Sequence, residues 1–421
     1  MRMASSVPRL RWTRIMPIAI AMYTISFMDR INLSFATTGM EKDFGLTATG
    51  VGLILGFFFL GYLVLQVPGG YLAERWSAKK FVFWLLLIWG VFAALSGLAQ
   101  NSTQELWIRF LLGVAEGGIW PVTLVLLANW FPREERARAN GLWIICLPLA
   151  AAITSPISGA LVTAVGWRLM LVFEGIPALI WAALWWWGIE DRPEQAKWLS
   201  TSERDFITTR IHAERRPTTG TIWSVLLEPS VWLLSAAYFL TIMGGYGLNL
   251  WAPTIIHSIG VGFLGTGLLL VIPNGAAVWL LISAGRYSDR IGKRIAVSVG
   301  VLCISFVGYL LLGIIGTGIV ALAILFLAFA TAGFYARQGP LWAIPTEVLP
   351  AGTAGTAMGL INGIGNIGGF VGPFVFGYLE TTTHSFTVGY FVMGFAILAG
   401  AAVLLTVREQ RKQPDATAAA G

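Results

Sequence analysis

The sequence predicts an all-α membrane protein with twelve transmembrane helices, arranged as two pseudo-symmetric bundles of six. Three observations support this: a strongly apolar composition, twelve apolar runs of spanning length, and a repeat that relates the two halves. Of 421 residues, 56% are hydrophobic and 12% are charged, whereas soluble domains carry about 25% charged residues. A soluble fold leaves too much surface in water to hide this apolar content. An ordinary soluble enzyme, a disordered chain and a small disulfide scaffold are therefore excluded.

Twelve apolar runs approach or exceed the length needed to cross a bilayer, which is about 20 residues for a helix. We number them α1 to α12 in chain order. They cover residues 15–38, 49–71, 81–99, 106–130, 139–163, 167–188, 229–255, 262–285, 295–314, 317–345, 354–379 and 386–407. The first run follows a basic segment, as the core of a signal peptide would. It carries Asp29 and Arg30 and continues to about residue 38, so we interpret it as a spanning helix.

One long polar stretch divides the helices into six and six. We predict an N-terminal bundle over 1–188, a cytoplasmic loop over 189–227, a C-terminal bundle over 228–407 and a cytoplasmic tail over 408–421. The segment GGYLAERWSAKK after α2 has a counterpart in AGRYSDRIGKR after α8, and FPREERARANGL after α4 matches LPAGTAGTAMGL after α10. The two matches have nearly the same offset, which indicates duplicated halves. Such halves are typical of secondary transporters, whose substrate site lies between the repeats.

The net charge of +7 has a topological explanation. An even number of helices leaves both termini on one side, and most of the 28 lysines and arginines fall on that side. These residues mark the cytoplasmic face of a membrane protein. Both termini are therefore predicted to be cytoplasmic in a bacterial-type inner membrane. The lipid bilayer is the expected partner, nucleic acid is not, and the chain is expected to function as a monomer.

The loops after α2 and α8 resemble those of the major facilitator superfamily. The pattern Gly-x-x-x-Asp/Glu-Arg ends at Glu74 and Arg75 in the first copy, and at Asp289 and Arg290 in the second. The resemblance implies the fold of that superfamily and a role for these four residues in a conformational latch. The first copy has Glu74 where Asp is usual and Ser77 where Gly is usual, which implies a weaker latch there.

Longer segments are similar to the anion:cation symporter family within this superfamily. They include SFMDRINLSFA in α1, RFLLGVAEGGIWP in α4, GWRLMLVFEGIPA in α6 and GNIGGFVGP in α11. The resemblance covers almost the whole chain. It implies uptake of a small organic anion, such as a sugar acid, an aromatic acid or another carboxylate, usually with protons and sometimes with sodium. It also implies that Arg30 contacts the substrate.

Charged residues inside the predicted helices are costly and are therefore functional candidates. Arg30 shares a helix face with Tyr23, and its guanidinium can bind a carboxylate through two parallel hydrogen bonds; packing against a neighbouring carboxylate is the alternative. Arg109 in α4 either guides anions, pairs with Glu116, or reaches outward to the interface. Arg337 in α10 forms a two-sided anion clamp with Arg30, unless it lies at the cytoplasmic mouth of its helix.

Glu116 and Asp29 are the predicted proton-coupling residues. Glu116 lies among small residues at mid-membrane in α4, where another helix can approach closely and where burial favours the neutral carboxyl. Asp29 points about 100° away from Arg30 on α1 and shares a face with Asn32. It either titrates or ties α1 to another helix. A further, shallower carboxylate is Glu174 in α6.

Uncharged polar side chains complete the predicted substrate site. Amides and phenols suit hydroxyl and carboxylate groups, although hydrogen bonding between helices explains each amide equally well. The candidates are Tyr23, Tyr62, Tyr246, Asn249, Gln338, Asn362 and Asn366. Trp251 reads as part of an interfacial aromatic belt, with an aromatic wall of the substrate site as the alternative. No cofactor, metal or enzymatic activity is expected, because the sequence shows no nucleophile–base pair and no metal-ligand cluster.

The balance of buried charge predicts the sign of the substrate. Three arginines face two or three carboxylates, so a protonated site is positive and attracts an anion. We therefore predict import of a carboxylate with protons by alternating access. A sodium-coupled symporter and a proton-driven efflux antiporter of the same fold are the alternatives. The antiporter is disfavoured because α5 lacks a dense Gly-Pro-Gly-Gly segment.

Overall fold

The computed structural model describes residues 10–214, 225–349 and 354–407, and within these ranges the chain is helical and contains no strand. In the N-terminal half, α1 is Leu10–Phe44, α2 is Ala48–Val64 continued by Gln66–Leu72, α3 is Ala78–Ser96, and α4 is Ser102–Gly117 continued by Ile119–Trp130. α5 begins as Arg133–Ile144, and Cys146–Gly188 holds the rest of α5 and all of α6, which meet at Gly166 with φ 78°.

The C-terminal half repeats this sequence of helices. α7 is Pro229–Asn249 continued by Ala252–Ser258, α8 is Phe263–Leu269 continued by Val271–Ile291, α9 is Arg294–Ile315, α10 is Val320–Ala336 continued by Gln338–Val348, α11 is Ala354–Thr383 and α12 is Phe386–Thr406. Every predicted helix is thus found. The predicted division into bundles at 188 and 228 stays a prediction, although helices end at Gly188 and begin at Pro229 on either side of the loop.

Nine runs among the described residues are long and apolar enough to cross a membrane on their own. The number of such runs is lower than the twelve predicted helices because of features of individual helices. Arg138–Gly188 contains α5 and α6 in one run, and Ala48–Val64 is short. α1 is long, but polar side chains at its centre lower its mean hydropathy.

The most extensive packing between the halves is that of α2 along α11 and of α5 against α8. Both contacts depend on small residues. A side chain at Gly52 of α2 would collide with the backbone of Pro373 in α11, and one at Gly159 of α5 would collide with the backbone of Phe263 in α8. Glycine therefore lets helices from opposite halves approach closely, as is common inside membranes.

Hydrogen bonds also join the halves at the end of the molecule that is predicted to face outward. The hydroxyls of Thr37 in α1 and Thr254 in α7 are 2.8 Å apart, and the hydroxyl of Thr49 in α2 donates to that of Thr381 in α11 at 2.9 Å. Towards the opposite end, the rings of Trp120 and Trp342 have centroids 6.1 Å apart. The two halves thus contact each other at the predicted outer end and again towards the opposite end, and the centre of the bundle lies between these contacts.

The described part of the central loop contains a short helix, Thr201–Glu214. A capping box begins this helix, because the Glu203 amide donates to the hydroxyl of Ser200 at 3.3 Å and the Ser200 amide donates to the Glu203 carboxylate at 3.4 Å. Residues 215–224 of this loop and the predicted tail at 408–421 lie outside the described residues.

Trp251 does not lie in an interfacial belt, so that prediction is wrong. The side chain is buried, its indole Nε1 donates to the carbonyl of Pro373 at 3.1 Å, and its ring stacks on Phe376. The physical reason is that α7 does not end at this point. It continues as Ala252–Ser258, which holds the indole against α11.

Candidate functional site

A buried ion pair joins α1 to α4 in the middle of the N-terminal half. Nε of Arg30 donates to Oε2 of Glu116 at 3.1 Å, and the hydroxyl of Ser26 donates to the same oxygen at 3.1 Å. Within the described chain, Nη2 of Arg30 and Oε1 of Glu116 have no hydrogen-bond partner. Desolvation makes a buried pair costly unless its remaining atoms are also satisfied. The pair therefore retains one donor and one acceptor for a ligand, a proton or water.

Aromatic rings surround the guanidinium of Arg30. Its Cζ lies 4.6 Å from the ring centroid of Tyr62, 5.1 Å from that of Phe58 and 5.4 Å from that of Phe27. The faces of aromatic rings attract cations, and they do so without competing for the guanidinium's hydrogen-bond donors. Tyr62, a predicted site residue, is thus placed directly at Arg30.

Arg337 is the buried cation of the C-terminal half, and it is 0% exposed. It lies between the two parts of α10, where Nη1 donates to the carbonyl of Phe334. Nε and Nη2 have no partner among the described residues. Its Cζ lies 4.2 Å from the ring centroid of Phe334 and 5.5 Å from that of Tyr238. This burial excludes the alternative position at an open helix mouth.

The ring of Tyr246 in α7 lies between the aromatic residues around Arg30 and those around Arg337. Its ring centroid is 4.8 Å from that of Phe59 in α2 and 6.0 Å from that of Phe334 in α10. Arg337 packs on Phe334, and Arg30 packs on the residue that precedes Phe59. One aromatic region therefore connects the two cations across the interface between the halves.

A second aromatic cluster lies beside this region. The ring of Tyr23 in α1 is 4.8 Å from Trp143 in α5 and 5.6 Å from Trp120 in α4, measured between centroids. Trp342 of α10 extends the cluster to the other half, and its indole donates to Oε1 of Gln338 at 3.1 Å. The predicted site residues Tyr23 and Gln338 are thus held by aromatic neighbours.

Amide side chains cross the interface between α2 and α11. Nδ2 of Asn362 donates to Oε1 of Gln66 at 2.7 Å, and Nδ2 of Asn366 donates to Oδ1 of Asn362 at 3.0 Å. Gln66 in turn donates to the carbonyl of Gly117, the residue after Glu116, at 2.8 Å. Asn362 therefore makes the contact between helices that was its alternative explanation, and it connects α11 through Gln66 to the backbone beside Glu116, whereas Asn366 bonds to Asn362 within α11.

Asn249 of α7 lies apart from the arginines. Its Nδ2 donates to the carbonyl of Gly245 at 2.7 Å, and its Oδ1 accepts from the hydroxyl of Thr331 at 3.4 Å. With Ser155 and Asn274 it contributes polar groups to a small cavity between the halves that is lined mainly by apolar side chains. Its predicted role in substrate binding stays a prediction.

Asp29 does not pair with Arg30, as its orientation on α1 predicted. Its Oδ1 accepts from Nδ2 of Asn32 at 3.1 Å, and its Oδ2 accepts from the indole of Trp89 in α3. Arg109 donates from Nη2 to the backbone carbonyl of Asp29 at 3.2 Å. Arg109 is buried, which excludes the alternative that it reaches outward to the interface. Trp89 could not be predicted from a local pattern, because its role depends on where α3 packs.

The N-terminal half buries more carboxylates than the sequence predicted. Glu174 accepts from the hydroxyl of Ser158 at 2.7 Å, and Glu105, which we did not predict, accepts from that of Ser96 at 3.1 Å. In the described helices, the buried carboxylates are Asp29, Glu105, Glu116 and Glu174, and the buried arginines are Arg11, Arg30, Arg109 and Arg337. Four arginines are thus buried with four carboxylates, whereas the sequence predicted three arginines against two or three carboxylates. Glu105 was missed because it precedes the predicted start of α4.

In the second latch segment, Asp289 pairs with an arginine that was not among the predicted latch residues. Oδ1 of Asp289 accepts from Nη1 of Arg294 at 2.5 Å, and Nε of Arg294 donates to Glu347 at 3.1 Å. Arg290 is exposed. Asp289 thus links α8 to α9 and α10 through Arg294.

The first latch segment is anchored by the residue that departs from the expected pattern. The hydroxyl of Ser77 accepts from the amide of Lys80 at 3.0 Å, which caps α3, and donates to Asp191 of the central loop at 2.6 Å. Arg75 is exposed and lies over the ring of Tyr71. The side chain of Glu74 lies outside the described part of the structure.

Known proteins similar to this chain are membrane transporters. Residues 19–373 match the model of the Major Facilitator Superfamily. Two putative tartrate transporters of Agrobacterium vitis are each 34% identical, over 95% and 94% of this chain and 91% and 93% of their own lengths. A hexuronate transporter of Bacillus subtilis is 28% identical over 94% of each chain. The inward-open xylose transporter XylE from E. coli has a TM-score of 0.74 at 16% identity, covering 95% of this chain and 97% of that one, a likeness that shows the fold alone.

Proposed function

Since the chain belongs to the major facilitator superfamily and is a multi-pass transporter of organic anions rather than an enzyme, we propose that it imports a carboxylate by symport with protons. The observation that carries this proposal is the ion pair between Arg30 and Glu116. It combines the best carboxylate-binding group with a carboxylate that can bind a proton. Substrate binding and proton binding are therefore linked at this ion pair.

Protonation of Glu116 prepares Arg30 for the substrate. The carboxylate of Glu116 occupies Nε of the guanidinium, so a substrate carboxylate has to compete with it. A proton on Glu116 neutralises the competitor, and the substrate then binds Arg30 through parallel hydrogen bonds. Substrate charge balances the guanidinium, which lowers the cost of closing the site around it. Proton and substrate together favour the occluded state by their differential affinity for it.

Arg337 provides the second contact for the anion. Two of its nitrogens have no partner in the described chain, and one aromatic region connects it with Arg30. Among the substrate classes implied by the sequence we propose a small dicarboxylate first, because it offers one carboxylate to each arginine. The names of the two Agrobacterium relatives support this choice, since tartrate is a dicarboxylate. A sugar acid or an aromatic acid offers one carboxylate and is the alternative.

We also propose a membrane location, an orientation and a latch for the protein. The lysine and arginine distribution supports a bacterial-type inner membrane with both termini in the cytoplasm. We also propose that the chain functions as a monomer, as expected from the sequence. The contacts of Asp289, Arg294 and Glu347 would act as a latch that changes between the states.

Transport by purified protein in liposomes tests the function. We expect uptake of tartrate to be driven by an inward pH gradient and abolished when a protonophore removes that gradient. Uptake that needs a sodium gradient instead would favour sodium symport. Tartrate movement only in the direction opposite to the movement of protons would favour the antiporter. Failure of tartrate and a panel of monocarboxylates to be transported would contradict the proposal.

A further inference from the structure

We propose that the groove between α8 and α9 binds one anionic phospholipid of the cytoplasmic leaflet. Side chains of both helices and of the turn between them line a cavity of about 640 Å³. None of these side chains belongs to the proposed substrate site or proton site. The inference therefore goes beyond the proposed transport and does not depend on its coupling to protons.

The groove exists because α8 and α9 pack little on each other. Each of the two helices packs extensively along α10, whereas their direct contact is small. The floor of the gap is an apolar cluster separate from the main core, made of Ala284, Val297, Val301 and Ala336. Gly300 of α9 is exposed at the wall of the groove and leaves further room, because a Cβ atom there would meet no atom within 4 Å. The result is a concave apolar surface on the outside of the bundle.

The groove has the length of one leaflet. On α8 the lining side chains recur with the spacing of one helix face, at Leu280, Ala284, Tyr287 and Ile291. The rise from Leu280 to Ile291 is about 16 Å along a helix, and half of the hydrocarbon core of a bilayer is about 15 Å deep. The hydroxyl of Ser283 in the lining already donates to the carbonyl of Trp279 at 2.9 Å, so it needs no polar ligand. An acyl chain therefore fits this surface in both length and polarity.

The end of the groove at the predicted cytoplasmic face is positively charged. Lys293 lines the cavity there and is exposed, and the exposed Arg286 and Arg290 lie near the same end of α8. In the part of the chain that the structure describes, these three cations form no ion pair. The acid closest to them in the sequence, Asp289, pairs with Arg294 instead. Basic pockets between helices on the cytoplasmic side attract anionic head groups, so this end of the groove suits a lipid phosphate.

The charge and the apolar surface together identify the occupant as an anionic phospholipid. Tyr287 lies between the two parts of the groove and is 58% exposed, and tyrosine is enriched at the level of the head groups. An anionic phospholipid places its phosphate at Lys293 and one acyl chain along the apolar face of α8. A zwitterionic lipid offers the same chains without a net negative charge, so it should bind more weakly.

Native mass spectrometry of the purified full-length protein in detergent tests the site. The protein is titrated with dioleoyl phosphatidylglycerol and, separately, with dioleoyl phosphatidylcholine, and the affinity for the first bound lipid is measured. We expect this affinity to be about fivefold or more higher for phosphatidylglycerol, because a basic residue near the membrane surface contributes about 1 kcal/mol to the attraction of anionic lipid. Equal affinity for the two lipids would overturn the proposal.

Lys293→Ala tests the contact with the head group. Affinity for phosphatidylglycerol should fall about fivefold, whereas affinity for phosphatidylcholine should change little. Lys80→Ala is the matched control, because Lys80 is another exposed lysine on the predicted cytoplasmic face and does not line the groove. Equal affinities for phosphatidylglycerol in Lys293→Ala and Lys80→Ala would contradict the site.

Gly300→Leu tests the groove itself without a change of charge. The leucine side chain would occupy the space of the acyl chain, so affinity for phosphatidylglycerol should fall several-fold. Gly275→Leu makes the same change at an exposed glycine of α8 that also has open space around it but lies outside the lining, and its affinity should equal that of wild type. Wild-type affinity in Gly300→Leu, or an equal loss in Gly275→Leu, would show that the lipid does not occupy this groove.

Discussion

Arg30 and Glu116 are joined by a hydrogen bond of 3.1 Å from Nε to Oε2, with both side chains buried between α1 and α4. The same guanidinium keeps Nη2 free, and the same carboxylate keeps Oε1 free, within the described chain. A substrate carboxylate and Glu116 therefore compete for one cation, which makes substrate affinity depend on whether Glu116 carries a proton.

The geometry of the Arg30 guanidinium, and not only its charge, should matter for binding. Arg30→Lys keeps the charge but loses the parallel pair of hydrogen bonds. A hydrogen bond to a charged group contributes about 1.5–3 kcal/mol, so we expect tartrate affinity to fall by roughly tenfold or more. Calorimetry on purified protein measures this, with Arg286→Lys at an exposed position as the control. Equal affinity in wild type and Arg30→Lys would show that Arg30 does not bind the substrate.

Arg337 should determine the preference for a second carboxylate. Arg337→Ala is expected to weaken tartrate binding by roughly tenfold and to leave binding of a monocarboxylate such as glycerate nearly unchanged. Thermal stability should not fall much, because the variant removes a buried cation that has no carboxylate partner in the described chain. A thermal-shift screen with both acids gives the result. Parallel losses for tartrate and glycerate would contradict the clamp.

Arg294, and not Arg290, should act in the second latch segment. Arg294 contacts Asp289 and Glu347, whereas Arg290 is exposed. Partly exposed ion pairs contribute only about 0–1 kcal/mol to stability, so Arg294→Ala should fold normally but transport several-fold more slowly, with little change in substrate affinity. Initial rates in liposomes test this against Arg290→Ala. A larger effect of Arg290→Ala would contradict this assignment to Arg294.

Stability at the predicted outer end should depend on pH through Glu41. It follows the predicted span of α1, and burial together with the nearby charge of Glu380 raises the pKa of its carboxyl. A raised pKa means that the folded protein binds the proton more readily than the unfolded chain does. Stability is therefore expected to decrease as pH rises through this pKa, and to be regained at lower pH. Melting temperatures of Glu41→Gln between pH 4 and 7 should show a weaker dependence than wild type, whereas an identical profile would exclude Glu41 as the source.

The helices were predictable because apolar length and loop polarity are properties of the sequence itself. Every predicted span corresponds to a helix, and the orientation of Asp29 away from Arg30 followed from the helical rotation per residue. The contact between Arg30 and Glu116 was only one of several alternatives at that stage. It depends on how α1 and α4 pack, which no local pattern specifies.

The differences between prediction and structure also arise from helix packing. Trp251 was placed at an interface because its helix seemed to end there, and the packing of α11 was not visible. Arg294 was not among the predicted latch residues, because Gly292, at φ 67°, turns the chain so that Arg294 at the start of α9 faces back towards α8. Glu105 was overlooked because a carboxylate near a helix start is usually exposed, and here Ser96 and the end of α3 cover it.

The central claim is that Glu116 couples proton movement to the substrate held by Arg30. Glu116→Gln tests it most directly, because glutamine keeps the size of the side chain and cannot bind a proton. The variant should exchange labelled tartrate across liposomes that contain tartrate on both sides, yet fail to accumulate it when an inward pH gradient is imposed. Accumulation at the wild-type level would contradict the claim.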